Sequence, residues 1–184
     1  MIGVHLATSQ QASPLASFRA RFPWLLCNLG GGIVAAFLAG MFEAELARVV
    51  SLALFIPVVL ALAESVSIQS VSLALQMLHG RRPSLRSLAG GLPRESITGG
   101  LLGLAAGLVV AGVALVWLRQ GRLALCIGLT VSGGMLAAAV VGMTLPNLLR
   151  LLKLDPRFAA GPMALAAADM LTLLLYFNLA RWLL

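Results

Sequence analysis

Residues 159–175 read AAGPMALAAADMLTLLL, an apolar run that holds one carboxylate, Asp169, near its middle. The run begins after Asp155-Pro156 and continues to Leu184. A helix needs about 20 mainly apolar residues to cross a bilayer, so this stretch predicts a transmembrane helix. A charge at that depth costs roughly 2.5 kcal/mol or more and usually has a function. The same stretch therefore predicts a functional carboxylate inside the membrane.

The rest of the chain has the same apolar character. Of its 184 residues 60% are hydrophobic and 10% are charged, and the mean hydropathy is +1.01. A soluble domain of this size needs a charged exterior, which this composition does not supply. The net charge of +7 comes from basic residues in short breaks between apolar runs. That placement indicates membrane orientation rather than nucleic-acid binding. Cys27 and Cys126 lie inside apolar runs, without the spacing of a metal site or a disulfide framework.

The length rule predicts an all-α membrane protein with five spans, after a short cytoplasmic segment 1–22. The spans are expected at about 24–42, 46–78, 96–118, 123–149 and 156–184. The second is expected to be interrupted at Pro57 and again in the polar stretch Glu64–Ser70. A polar loop is expected over 80–95 and a tight turn at Arg119–Arg122. Nine of the 13 basic residues fall on one side, which predicts a cytoplasmic N-terminus and an external C-terminus in the cell inner (plasma) membrane.

Small residues recur at four-residue intervals on three of these spans. Such stripes let helix backbones approach closely in a membrane. The stripes are Gly32, Ala36 and Gly40; Gly99, Gly103, Gly107 and Ala111; and Gly134, Ala138 and Gly142. They predict a packed helical bundle and do not identify what it transports.

A second carboxylate, Glu64, lies in the second span at a depth comparable to that of Asp169. Asp169 is 13 residues after Pro156, which places it roughly 20 Å along the helix. Hydroxyl and amide side chains follow Glu64 along the chain as far as Ser70. They predict that this stretch lines a hydrated cation path. Gly161-Pro162 is expected to loosen the fifth helix and free carbonyls there. The predicted metal ligands are Asp169 and Glu64, and the predicted pore lining is Ser65, Gln69, Gly161, Pro162, Leu165 and Thr172.

The oxygen chemistry of these residues favours Mg²⁺ or a similar divalent ion. Mg²⁺ sheds water reluctantly and is usually held by one or two carboxylates plus retained waters. His5 and His79 lie outside the mid-membrane zone, which disfavours softer metals. A two-fold dimer would bring two copies of Asp169 together, so a homodimer with the pore at or near its interface is predicted. Either carboxylate alone is also consistent with a protonated packing residue.

Several stretches resemble the transmembrane domain of MgtE-type magnesium channels and transporters. They are Phe22–Leu29, Phe42-Glu43, Leu54–Pro57, Arg94-Glu95, Leu145-Pro146 and Asp155-Pro156 through Asp169 to Arg181. The resemblance implies five helices per protomer, a homodimer in a lipid membrane, a cytoplasmic N-terminus and a central Mg²⁺ path. The pore aspartate of the family follows its Asp-Pro by 14 residues, as Asp169 follows Asp155. The resemblance therefore gives Asp169 the role of main pore ligand, through water.

The chain departs from the family pattern in two respects. Family members usually carry Gly-Gly-Asn-x-Gly-x-Gln in the second span, where this chain has Ala63–Gln69. The lost glycines should make that stretch more regularly helical, and the added Glu64 bears on the identity of the ion. Members commonly carry a cytoplasmic sensor with paired CBS domains, for which segment 1–22 is too short. A separate regulatory protein is one expected substitute, and the arginines of 80–95 would suit an acidic partner or lipid headgroups.

The residues leave three functions open. The first is a divalent cation channel, with Mg²⁺ the favoured ion. The second is a proton- or cation-coupled secondary transporter that uses Glu64 and Asp169. The third is a non-conducting membrane subunit that binds a regulatory partner. An intramembrane aspartyl protease is disfavoured because the Gly-x-Gly-Asp setting is missing around Asp169, so the chain is predicted not to be an enzyme.

Overall fold

The computed structural model describes residues 14–43, 49–78, 85–153 and 156–184, and this part of the chain forms five long α-helices without a strand. The predicted all-α class and the number of five helices are confirmed. His5, His79, Arg81, Arg82 and Asp155 lie outside the described residues. The helices are α1 (Pro14–Met41), α2 (Ser51–Leu78), α3 (Leu85–Leu118), α4 (Gly121–Leu151) and α5 (Pro156–Leu183).

Helix α4 is the centre of the bundle, because α2, α3 and α5 all pack against it. Helix α1 packs on α5, and α2 also contacts α5. Helices α2 and α4 run in the same direction: Ala63 packs with Ala138, and the Arg150 Nη1 atom donates a 2.5 Å hydrogen bond to the Leu78 carbonyl. Helix α5 runs in the opposite direction. Its Tyr176 hydroxyl donates a 2.9 Å hydrogen bond to the carbonyl of Leu52, at the start of α2.

The outer surface of this bundle is apolar. Among the described residues, four segments are long and apolar enough to cross a bilayer, and α1 adds a shorter apolar stretch, Leu25–Met41. The four are Ser51–Leu78, Gly91–Leu118, Gly121–Leu151 and Ala159–Leu183. Large side chains point outward along them, with Val116 80% and Leu108 74% exposed. An apolar outer surface of this extent is stable only in contact with lipid, so the chain is an integral membrane protein.

Two of the three predicted small-residue stripes pack as expected, and the third does not. A Cβ atom on Gly103 would lie 2.6 Å from the Ser132 carbonyl oxygen, so α3 and α4 touch backbone to backbone. The Ser132 hydroxyl reinforces this contact with a 3.0 Å hydrogen bond to the Gly103 carbonyl. On α1, by contrast, Gly32 and Gly40 have no atom within 4 Å of a built Cβ. Gly31 instead meets Ala166 of α5, so the predicted α1 stripe faces away from the described neighbours.

The structure corrects the predicted interruptions of the second span. Helix α2 is continuous through Pro57 and through Glu64–Ser70. Pro57 lacks the N–H that would bond the Ala53 carbonyl, a loss that transmembrane helices tolerate where other helices pack against them. Nearby, the Tyr176 hydroxyl donates to the Leu52 carbonyl and ties this end of α2 to α5. A serine also fits inside this helix just beyond the stretch, where Ser72 donates to the Ile68 carbonyl at 2.8 Å. Helix α2 is regular through the stretch where family members usually carry glycines.

Two further boundaries differ from the sequence expectations. The predicted polar loop over 80–95 is wrong in its second half, because α3 begins at Leu85 and is continuous through Pro93. Helix α1 begins at Pro14, so part of the expected N-terminal segment is helical. Helix α5 is continuous through Gly161-Pro162, and the expected loosening at this pair stays a prediction. The turn at Arg119 is present, with Arg119 at a φ of 54° between α3 and α4.

Candidate functional site

Glu64 and Asp169, predicted from separate spans, lie together in the bundle. Three small residues, Ala63 of α2, Ala138 of α4 and Ala168 of α5, form a buried cluster. Each carboxylate follows one of these alanines, so the close packing of α2 against α5 brings the two side chains to the same level. Both are half-buried, and the charge of Glu64 acts on Asp169 through space. Two like charges at one membrane depth are costly unless a cation lies between them or a proton is shared.

Buried oxygen atoms without a protein partner mark this level of the bundle. Asp169 Oδ1, Ser67 Oγ and Thr172 Oγ1 are buried, and none has a hydrogen-bond partner among the described residues. A buried polar atom that lacks a partner costs about 1–3 kcal/mol, so each calls for an explanation. Asp169 and Thr172 are three residues apart on α5, and Glu64 and Ser67 are three apart on α2, so each pair shares a helix face.

The stripe of small residues on α4 places Ser67 and Thr172 on opposite sides of the carboxylate pair. A Cβ atom on Gly134 would lie 3.0 Å from Thr172 Oγ1, and one on Gly142 would lie 2.6 Å from the Ser67 carbonyl. Gly134, Ala138 and Gly142 follow one another at intervals of about one helical turn. Thr172, the carboxylate pair and Ser67 therefore occupy three successive levels along α4.

The other predicted pore-lining residues lie at several positions around this pair. Ser65 and Gln69 are exposed on α2, where the Gln69 amide is 3.4 Å from the Ser65 hydroxyl. Gly161, Pro162 and Leu165 are half-buried on α5, and a Cβ on Gly161 would meet open space. Thr172 is fully buried between α5 and α4. Thr172 is thus enclosed within the helical bundle, whereas Ser65 and Gln69 face outward.

One polar contact near the site was missed by the sequence reasoning. The Ser70 hydroxyl of α2 donates a 2.6 Å hydrogen bond to Oε1 of Glu95 on α3. Glu95 was assigned to a loop and so was not considered as an intramembrane group. A carboxylate directly before the third apolar run, together with Ser70 in the polar stretch of the second, was the available signal.

The donor set suits a hydrated cation rather than a tightly chelated one. No group of three or more His, Cys, Asp or Glu side chains that could enclose a metal occurs among the described residues. Mg²⁺ commonly uses one or two carboxylates and keeps several waters, which two carboxylates with nearby hydroxyls can accommodate. Zinc and copper sites usually need three or four nitrogen or sulfur ligands, and the neighbourhood of Asp169 does not offer them.

Comparison with known proteins agrees with this chemistry. Residues 56–179 match the family model MgtE, described as a divalent cation transporter. The chain is 32% identical over 174 residues to "Magnesium transporter MgtE" of Thermus thermophilus, which covers 95% of the chain and 38% of the relative. It is 28% identical over 166 residues to the protein of that name from Bacillus subtilis, which covers 90% of the chain and 37% of the relative. The chain thus spans little more than a third of the length of these relatives.

Proposed function

The chain belongs to the MgtE family of divalent cation transporters, and from that premise we propose that it conducts Mg²⁺ across the cell inner membrane. The family is one of transporters and not of enzymes. In this proposal two copies associate, the ion passes at or near their interface, and Asp169 is the main ligand, through retained water. Glu64 adds charge at the same level, and Ser65, Gln69, Gly161, Pro162, Leu165 and Thr172 line or support the path.

The observation that carries the proposal is the pairing of two carboxylates within the apolar bundle. The alanine cluster beside them holds α2 against α5, so the carboxylates cannot separate without disrupting packed helices. Asp169 Oδ1 is buried and has no protein partner in the described part of the chain. No basic side chain of the described residues pairs with either carboxylate to offset the charge. A cation between or beside them would remove the electrostatic cost.

The choice of Mg²⁺ rests on ligand number and on the relatives. The relatives from Thermus thermophilus and Bacillus subtilis are named magnesium transporters. Ca²⁺ usually takes six to eight oxygen ligands, mostly from protein, whereas Mg²⁺ usually binds one or two carboxylates and keeps several of its waters. The sparse donor set around Asp169 therefore fits Mg²⁺ better than Ca²⁺.

Replacement of Asp169 by asparagine is the direct test of this function. Asn has nearly the same size but no charge, so we expect Mg²⁺ influx into proteoliposomes to fall by about tenfold or more, the effect of losing 1.4 kcal/mol. Influx would be followed with an entrapped Mg²⁺-sensitive dye. Asp169→Glu, which keeps the charge, is the matched control and should retain part of the flux. Wild-type flux in a correctly folded D169N protein would refute the assignment.

The close carboxylate pair also favours a second candidate, a proton-coupled transporter. Two like charges at one level are costly, so a carboxyl group that takes up a proton there could release it in exchange for a cation. Coupling predicts that a pH gradient alone drives Mg²⁺ movement in proteoliposomes with equal Mg²⁺ on both sides. A channel predicts no net movement under that condition and responds only to the ion gradient and the voltage.

A further inference from the structure

We propose that Glu95, held in place by Ser70, is a second cation-binding position. A divalent cation would occupy it between the Leu78 end of the bundle and the Glu64–Asp169 pair. The inference rests on the proposed function, since it adds a step to the same ion path. It concerns a carboxylate on α3, however, and therefore depends on different residues from those of the main site.

Buried polar side chains lie between the two positions, on the side of α2 that packs against α4. Glu64, Ser67 and Ser70 follow one another at intervals of three residues, or roughly 4.5 Å along the helix axis. Ser70 donates its hydroxyl to Glu95 at 2.6 Å, which places the Glu95 carboxylate roughly 9 Å along that axis from Glu64. Between them Ser67 is 0% exposed, and its hydroxyl has no partner among the described residues. Every turn of α2 between the two carboxylates therefore carries an oxygen atom.

Glu95 keeps capacity for a cation after it accepts the bond from Ser70. A carboxylate has about four acceptor positions on its two oxygens, and Ser70 uses one of them. No basic side chain in the described part of the chain pairs with Glu95, and the adjacent Arg94 is exposed. Glu95 is half-buried at the head of an apolar helix. An unpaired charge in that position is costly, and binding a divalent ion would offset the cost.

The alternative is that Ser70 and Glu95 simply tie α2 to α3. These two helices otherwise hardly touch, so a single hydrogen bond between them has structural value. A tie requires only an oxygen that accepts the Ser70 proton, which a glutamine amide provides as well as a carboxylate. Cation binding requires the negative charge. The charge and the hydrogen bond can therefore be tested separately.

The experiment compares Glu95→Gln with Ser70→Ala in proteoliposomes, with Mg²⁺ influx measured over a range of Mg²⁺ concentrations. E95Q keeps the hydrogen bond and loses the charge, and we expect the half-saturating Mg²⁺ concentration to rise roughly tenfold. S70A keeps the charge and should cause a smaller rise. The opposite order, with E95Q like wild type and S70A impaired, would overturn the proposal.

If E95Q does not fold, Glu95→Asp replaces it, because it keeps the charge but shortens the reach to Ser70. In E95D a rise in the half-saturating Mg²⁺ concentration no larger than that of S70A supports the cation site, and a rise of about tenfold or more overturns it.

A binding measurement separates this proposal from the one on Asp169. Mg²⁺ bound to the folded protein raises its melting temperature, so the Mg²⁺-dependent shift would be measured for D169N and for D169N combined with E95Q. We expect a residual shift in D169N that the double variant lacks. Equal shifts in the two proteins would refute the Glu95 site even if D169N abolishes flux. A lost shift in the double variant would support the Glu95 site even if D169N still conducts.

Discussion

At the scale of single residues, the two intramembrane carboxylates differ in their surroundings. Asp169 has one fully buried oxygen without a protein partner, whereas Glu64 has no buried orphan atom. Both are half-buried, and both follow an alanine of the same cluster. The difference is consistent with Asp169 as the principal ligand and Glu64 as an additional charge that adjusts affinity or ion preference. Removing the charge of Glu64 should therefore have a milder effect than removing that of Asp169.

Glu64→Gln is expected to change ion affinity or selectivity rather than to abolish transport. The amide preserves size and polarity, and the loss of the charge weakens attraction for a divalent ion at the shared level. We expect the affinity for Mg²⁺, Ca²⁺ or Mn²⁺, measured by competition in a proteoliposome influx assay, to fall several-fold. This fall is smaller than the tenfold change that corresponds to 1.4 kcal/mol. Glu43→Gln, the same change at an exposed residue beyond α1, is the control. An unaltered ion profile in E64Q would assign Glu64 to packing.

At the scale of elements, α4 determines how closely α2 and α5 approach. Its stripe of Gly134, Ala138 and Gly142 touches Thr172, the alanine cluster and Ser67 in turn. In a bilayer the hydrophobic effect does not drive helices together, so association depends on such close van der Waals contacts. The distance between Glu64 and Asp169 is thus set by small residues that carry no charge themselves.

Gly142→Ala should destabilise the bundle, because the new methyl group would lie 2.6 Å from the Ser67 carbonyl oxygen and 2.8 Å from Ser70 Cβ. Helices α2 and α4 would have to separate, and overpacking of this kind costs about 1–3 kcal/mol. The measurement is thermal unfolding of the purified protein in detergent. Gly112→Ala on α3, where a Cβ meets no atom within 4 Å, is the matched control and should be close to neutral. Equal melting temperatures for the two variants would contradict the described packing.

The sequence was sufficient for the parts of this architecture that depend on hydropathy and periodicity. Apolar run length predicted the five helices, and the intramembrane position of Asp169 and Glu64 marked them as candidates. The sequence was insufficient where helix–helix packing determines which side chains are buried, since no local pattern shows that Ser67 and Thr172 are buried against α4. The proline-based interruption of α2 failed because a proline inside a transmembrane helix is tolerated where neighbouring helices pack against it, as α4 and α5 do here. Glu95 was missed because its polar neighbours indicated a loop, although α3 already begins at Leu85.

At the scale of the whole molecule, one face of α2 is polar where the surrounding surface is apolar. Among the exposed side chains in the second half of the helix, a helical stripe is polar and consists of Ser65, Gln69, Ser72 and Gln76. It is flanked by the exposed apolar residues Ile68, Leu73 and Met77. In the first half the same face carries Leu54 and Val58. Exposed amides and hydroxyls are poorly suited to lipid. This half-face is therefore expected to meet water in an ion path or to meet a second copy of the chain.

Thiol labelling tests whether this face is wet, as a pore at or near a dimer interface requires. In a background with Cys27 and Cys126 replaced by serine, Gln69→Cys should react with a membrane-impermeant, positively charged thiol reagent, because a thiol needs water to ionise and react. Leu108→Cys on α3, 74% exposed on the apolar surface, is the control and should remain unlabelled in lipid. Labelling of Q69C should also slow Mg²⁺ influx, since the added positive charge would lie along the path. If Q69C and L108C are equally unreactive, the polar face of α2 does not line an aqueous path, and the proposed pore must lie elsewhere in the molecule.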